Sequence, residues 1–133
     1  MKRMLLLLFV TSLLFANCKN LDEKKTPGIL LKQSIEKLMQ GDIRQYTKTC
    51  CIEGNPLTAS QDSTQVKVMS AFCERVQKNY KGFADCQLVR ETISEDGKSA
   101  DVRIKLVFGN GTAEETEYEM NLVGKEWKIN LKM

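Results

Sequence analysis

In the second half of the chain, after Cys86, apolar and polar positions alternate with a period of two. Val102, Ile104, Leu106 and Phe108 alternate with Asp101, Arg103 and Lys105. Tyr118, Met120 and Leu122 alternate with Glu117, Glu119 and Asn121, and Trp127, Ile129, Leu131 and Met133 alternate with Lys128, Asn130 and Lys132. Such runs predict strands with one buried and one wet face. Parity then constrains the turns. A two-residue loop at Gly124-Lys125 sets Leu122 opposite Trp127, Met120 opposite Ile129 and Tyr118 opposite Leu131, apolar face to apolar face, and Gly in the first loop position suits a type II′ turn. A two-residue Asn110-Gly111 loop would set Ile104 against Glu117, so a loop of three or five residues is expected, which brings Arg103 and Lys105 near Glu115, Glu117 or Glu119. Asp96-Gly97 marks a further hairpin, while the alternation from Cys86 to Ile93 is too mixed to fix a register.

Before Cys86 the period is about 3.6. Thr26 is placed to cap a helix opened by Pro27, with Leu31, Ile35 and Leu38 on one face and Gly41 as its stop. Asp42 caps a shorter helix carrying Ile43, Tyr46, Thr47 and Cys50. Residues 53–60, with Gly54-Asn55-Pro56, read as a loop. A third helix spans about Gln61 to Tyr80 with Val66, Met69, Cys73, Val76 and Tyr80 on its stripe, and Lys81-Gly82 ends it. The expectation is an α+β domain, three helices on one face of a four-stranded antiparallel sheet.

The amino terminus has a different character. Met1-Lys2-Arg3 precedes Met4 to Ala16, 13 residues that are apolar except for Thr11 and Ser12, and the run ends in Leu14-Phe15-Ala16-Asn17-Cys18. It is too short to span a bilayer and fits the apolar region of a secretory signal. It resembles a bacterial lipoprotein signal, in which Cys18 becomes the acylated first residue, with Asn17 where the usual pattern has a small residue. An ordinary cleaved signal is the competing reading. The division expected is residues 1–17 as signal, 18–26 as acylated Cys and polar tether, and 27–133 as a single domain. Acyl chains on Cys18 would hold the protein on the membrane. Lys19 rather than Asp after the Cys resembles outer-membrane-directed lipoproteins, so a cell-envelope location facing the periplasm is expected.

Charge narrows the partners. The chain of 133 residues has 20 Lys+Arg, 17 Asp+Glu and no His; without Lys2 and Arg3, the 116-residue mature chain has 18 against 17. Near-neutral charge without a basic block argues against nucleic acid. The missing His excludes imidazole acid–base chemistry and His-containing metal sites. Neither a phosphate-binding Gly-rich loop nor a Ser nucleophile elbow is present, and no cofactor or metal is expected.

Gly41-Asp42-Ile43, ISEDGKSADVRIKL at Ile93 to Leu106, the Gly109-Asn110-Gly111 hairpin and GKEWKINL at Gly124 to Leu131 resemble bacterial lipoproteins with a small domain of the nuclear-transport-factor-two-like superfamily, of cystatin-like fold. The resemblance covers almost the whole mature chain, and its motifs are structural. It implies a curved sheet that encloses a conical pocket with the helices, near which Tyr46, Met69, Phe72, Tyr118, Met120 and Trp127 would lie. The superfamily includes ketosteroid isomerase, SnoaL-like cyclases and protein-binding modules, so membership does not choose a function.

Export favours disulfides. Setting Cys18 aside leaves Cys50, Cys51, Cys73 and Cys86, an even number. Adjacent Cys50-Cys51 is a poor bridge, and the shared inward faces of helices two and three favour Cys50–Cys73 with Cys51–Cys86. Buried thiols are the alternative. Most carboxylates lie on wet strand faces or in turns, with Glu91 the one strand carboxylate whose facing is open. The functional expectation is therefore a lipid-anchored, non-catalytic module that binds a small apolar ligand or an envelope protein. The alternative is a small isomerase- or cyclase-type enzyme using the same pocket.

Overall fold

The computed structural model describes residues 26–132. Thr26 Oγ1 accepts from the Ile29 N–H at 3.3 Å and opens α1 (Pro27–Met39), whose Leu31, Ile35 and Leu38 are buried. Asp42 likewise caps α2 (Ile43–Lys48). Residues 50–52 leave the helix. They form β1 (Cys50–Ile52), which turns into β2 (Asn55–Pro56). The long helix α3 (Ala59–Tyr80) follows, then β3 (Phe83–Ile93), β4 (Ser99–Phe108), β5 (Ala113–Val123) and β6 (Glu126–Asn130).

The six strands form one sheet in the order β2-β1-β6-β5-β4-β3, which corrects the four-stranded expectation. The added edge is built by β1 and β2. Glu53 (φ 50°) and Gly54 (φ 79°) both occupy the left-handed region, the signature of a type I′ hairpin turn, with Ile52 opposite Asn55. β1 then runs parallel to β6, with Cys50 opposite Ile129, so the sheet is not wholly antiparallel.

The two later hairpins follow parity. Leu122 faces Trp127 and Met120 faces Ile129 across Gly124-Lys125. Gly124 has φ 65°, and Lys125 is not among the positive-φ residues, as a type II′ turn requires. The expected Tyr118–Leu131 pair lies beyond the ladder, because β6 ends at Asn130. Between β4 and β5, Val107 faces Ala113 and the Phe108 N–H donates to the Thr112 carbonyl at 2.9 Å, which closes a three-residue loop. Arg103 accordingly sits opposite Glu117 and pairs with it at 3.5 Å.

The mixed alternation of β3 has a cause. Its register against β4 shifts between Phe83 and Asp85 and again between Leu88 and Arg90, leaving Ala84 and Val89 as extra residues. Bulges bend and twist a strand and reverse side-chain parity beyond them. α1 packs on β3 and β4, and α2 bridges α1 to α3. Leu31, Ile35, Val102, Ile104, Met120 and Ile129 fill the centre between helices and sheet.

The disulfide expectation is corrected as well: Cys50, Cys51, Cys73 and Cys86 are all free. β1 and β3 are separated by β6, β5 and β4. At about 4.8 Å per strand, Cys51 and Cys86 stand roughly 19 Å apart, far beyond the reach of a bridge. Cys50 lies on a strand rather than on the inward face of α2, and its thiol meets the Tyr46 carbonyl at 3.5 Å. No helix among the described residues is long and apolar enough to cross a membrane. The signal and Cys18 lie outside the described residues.

Candidate functional site

α3 is held firmly at its ends and lightly between them. At its start Thr58 and Gln61 form a reciprocal capping box, each side chain accepting from the other's backbone N–H. At its end Lys81 (φ 59°) and Gly82 (φ 81°) reverse the chain, and the Gly82 N–H donates to the Val76 carbonyl at 3.1 Å. The β4–β5 loop docks there too, with the Gly109 N–H on the Gly82 carbonyl at 2.8 Å and the Asn110 N–H on the Tyr80 carbonyl at 2.9 Å. Over 22 residues only Gln65 and Val76 are fully buried.

The space beneath this helix is a cavity of about 280 Å³. Val68, Met69, Phe72 and Arg75 of α3 form one wall. Ile35 and Leu38 of α1, Tyr46 of α2, Phe83 of β3, Leu106 of β4 and Tyr118 of β5 form the rest. Apart from Arg75 and the two phenol hydroxyls, the lining is apolar. Phe72 and Phe83 pack within this lining with ring centroids 5.9 Å apart.

Tyr46 is only 3% exposed. Burial, then Cys50 and Tyr118, push its pKa well above the usual phenol value. Burial, then Cys86, Glu114 and Cys50, push Tyr118 up to about 12. Neither hydroxyl hydrogen-bonds another described residue, and neither is a fully buried donor left without a partner. Both phenols therefore stay neutral through the physiological range, O–H donors free to meet an acceptor.

The thiols are shifted in the same direction. Burial, with Cys51 next, pushes Cys50 up to about 12, and burial, with Glu36 next, pushes Cys86 up to about 11. A protonated buried thiol is a poor nucleophile. Cys50 borders a second cleft, of about 540 Å³, with Asp62, Glu126, Lys48 and Lys128. There Lys128 is already engaged, 2.9 Å from the Lys48 carbonyl and 3.2 Å from Glu126. No group of three or more potential metal ligands occurs among the described residues.

Of the residues expected near a pocket, Tyr46, Met69, Phe72 and Tyr118 line the cavity. Met120 is buried in the core and Trp127 packs against that core, away from the cavity. The sequence reading missed Val68 and Arg75, which recur with Phe72 at helical spacing one step around α3 from the stripe assigned as buried. Glu91 is also placed. Its carboxylate accepts from the Gly28 N–H at 2.8 Å and does not line the cavity.

A solved protein from Campylobacter jejuni, provisionally named an NTF2-like transpeptidase, superposes with a TM-score of 0.66 over 81% of this chain and 100% of its own, at 19% identity. The fold is NTF2-like. No family model matches the chain, and no curated protein matches it, so the lipoprotein reading gains no support from either. The expectation of a non-catalytic module is corrected: a neighbour of this fold carries an enzyme's name, and the fold gives no ground for preferring a protein without activity. The domain has this fold, with a mainly apolar cavity beneath α3.

Proposed function

We propose that the cavity under α3 binds a small, mainly apolar molecule whose carbonyl-type oxygen meets the hydroxyls of Tyr46 and Tyr118. The observation that carries this reading is the pair of neutral phenols, without a hydrogen-bond partner among the described residues, in an otherwise apolar lining. Such donors are satisfied by an acceptor that arrives with an apolar body. They also favour an oxygen that gains negative charge during reaction, which is the polarising half of isomerase- or cyclase-type chemistry. No carboxylate among the described residues lines the cavity, so proton removal falls to the substrate or to solvent, and turnover is expected to be slow. Peptide transfer, the activity in the neighbour's name, requires an activated nucleophile, whereas burial pushes the four described thiols up and favours their protonated form.

Displacement of an environment-sensitive dye tests the reading. Cyclic ketones should displace it at lower concentration than hydrocarbons of the same shape. Tyr46→Phe and Tyr118→Phe should erase that preference while hydrocarbon binding persists. Equal affinities for ketone and hydrocarbon in the unaltered protein would sink the proposal.

The division into a signal at 1–17, a tether at 18–26 and a domain from 27 onward rests on the sequence strings alone, as do acylation of Cys18 and an outer-membrane position. Fractionation of Cys18→Ser protein addresses them: the anchor reading expects loss of membrane association, and unchanged association would remove it.

A further inference from the structure

Arg75 is the one formally charged residue among the described residues that line the cavity. It lies in the C-terminal part of α3, is exposed, and makes no ion pair with another described residue. It also lines an adjoining pocket of about 180 Å³ with Phe72, Asn79, Tyr80, Phe108 and Glu114. Phe72 and Arg75 thus stand where the two spaces meet, one ring and one guanidinium at the rim of an apolar chamber. Glu114, across the same rim, is not within ion-pairing distance of Arg75.

The geometry points to a ligand class narrower than apolar molecules in general: apolar carboxylic acids, with the carboxylate paired to Arg75 at the rim and the mainly apolar body, with any carbonyl-type oxygen it carries, in the chamber. This rests on the reading of the cavity as a ligand site. A guanidinium offers a planar fork of N–H donors that matches a carboxylate in bidentate fashion. While the cavity is open, water solvates that fork. A hydrocarbon body closing the cavity removes the water, and the charge-assisted pair strengthens in drier surroundings. A neutral head group forgoes this pairing, and a cationic one is repelled by Arg75.

Dye displacement by octanoate, octanol and octylamine tests the assignment at neutral pH. Octanoate should bind at least tenfold more tightly than octanol, and octylamine most weakly. Arg75→Gln should remove that advantage, Arg75→Lys should keep part of it, and Lys78→Gln, which deletes a positive charge elsewhere on α3, should leave it intact. Equal affinity for octanoate and octanol, or an equal loss in Arg75→Gln and Lys78→Gln, would overturn the assignment. Cyclic ketones separate the two proposals. If they still displace the dye while octanoate shows no preference, the Arg75 assignment fails alone; if neither displaces it, both readings fail.

Discussion

Glu91 on β3 accepts a hydrogen bond from the backbone N–H of Gly28 at 2.8 Å, tying the sheet edge to the first turn of α1 across 63 positions of chain. The first amides of a helix lack partners within it, and a carboxylate there also answers the helix dipole. Gly28 has no side chain to hold the strand off: a Cβ would sit 3.0 Å from both Leu88 methyls and 3.2 Å from Glu91 Oε1. Glu91→Ala should therefore lower stability by about 1–2 kcal/mol in denaturant unfolding and leave dye binding in the cavity unchanged. Loss of binding without loss of stability would make Glu91 a site residue.

The loop at Gly109 is tighter still. A Cβ there would collide with the Lys81 carbonyl oxygen, whereas one at Gly111 meets nothing and is opposed only by its φ of 88°. Gly109→Ala should cost more than about 2 kcal/mol and raise amide exchange at the end of α3, while Gly111→Ala costs about 1–2 kcal/mol. Thermal melts of the two variants should rank them in that order.

Alkaline instability follows from the buried acids. Unfolded thiols and phenols release protons near their ordinary values of 9.0 and 10.0, while folded Cys86 holds its proton to about 11 and folded Cys50 and Tyr118 to about 12. Below pH 9 both states are protonated and these groups contribute no slope. Above it the folded state binds more protons, so stability falls with rising pH across roughly pH 9 to 12. Unfolding midpoints at closely spaced alkaline pH should show that decline; a flat profile would contradict the burial of these groups.

Free thiols should be countable. With Cys50, Cys51 and Cys86 buried and Cys73 half-buried, a thiol reagent near pH 8 should label Cys73 first and the other three only on unfolding. Peptide mapping without reductant should find no bridge among the four.

What the sequence disclosed depended on how local the determining contact is. Gly124-Lys125 and the alternation on either side of it fix Leu122 opposite Trp127, because a strand slip would turn every apolar side chain outward. Cys50-Cys51-Ile52 gives no such signal. It continues the spacing of α2, β1 is only three residues long, and its partner Ile129 lies near the other end of the chain. The register of β3 was hidden by Ala84 and Val89, whose insertion breaks the alternation that would reveal it. In the cavity, Tyr46, Met69, Phe72 and Tyr118 were reached through the family resemblance, which pointed equally to Met120 and Trp127, and those two do not line it. Arg75 was not legible, since a charged residue on a helix reads as solvent-facing until the space beside it is known.

The most direct test of the central claim is the infrared carbonyl stretch of an isotope-labelled cyclic ketone bound to the protein. Donation from Tyr46 and Tyr118 predicts a stretch lowered relative to the ketone in hydrocarbon solvent, rising part-way in each single Phe variant and returning to the hydrocarbon value in the double variant. A bound ketone whose stretch already matches hydrocarbon solvent in the unaltered protein would contradict the account.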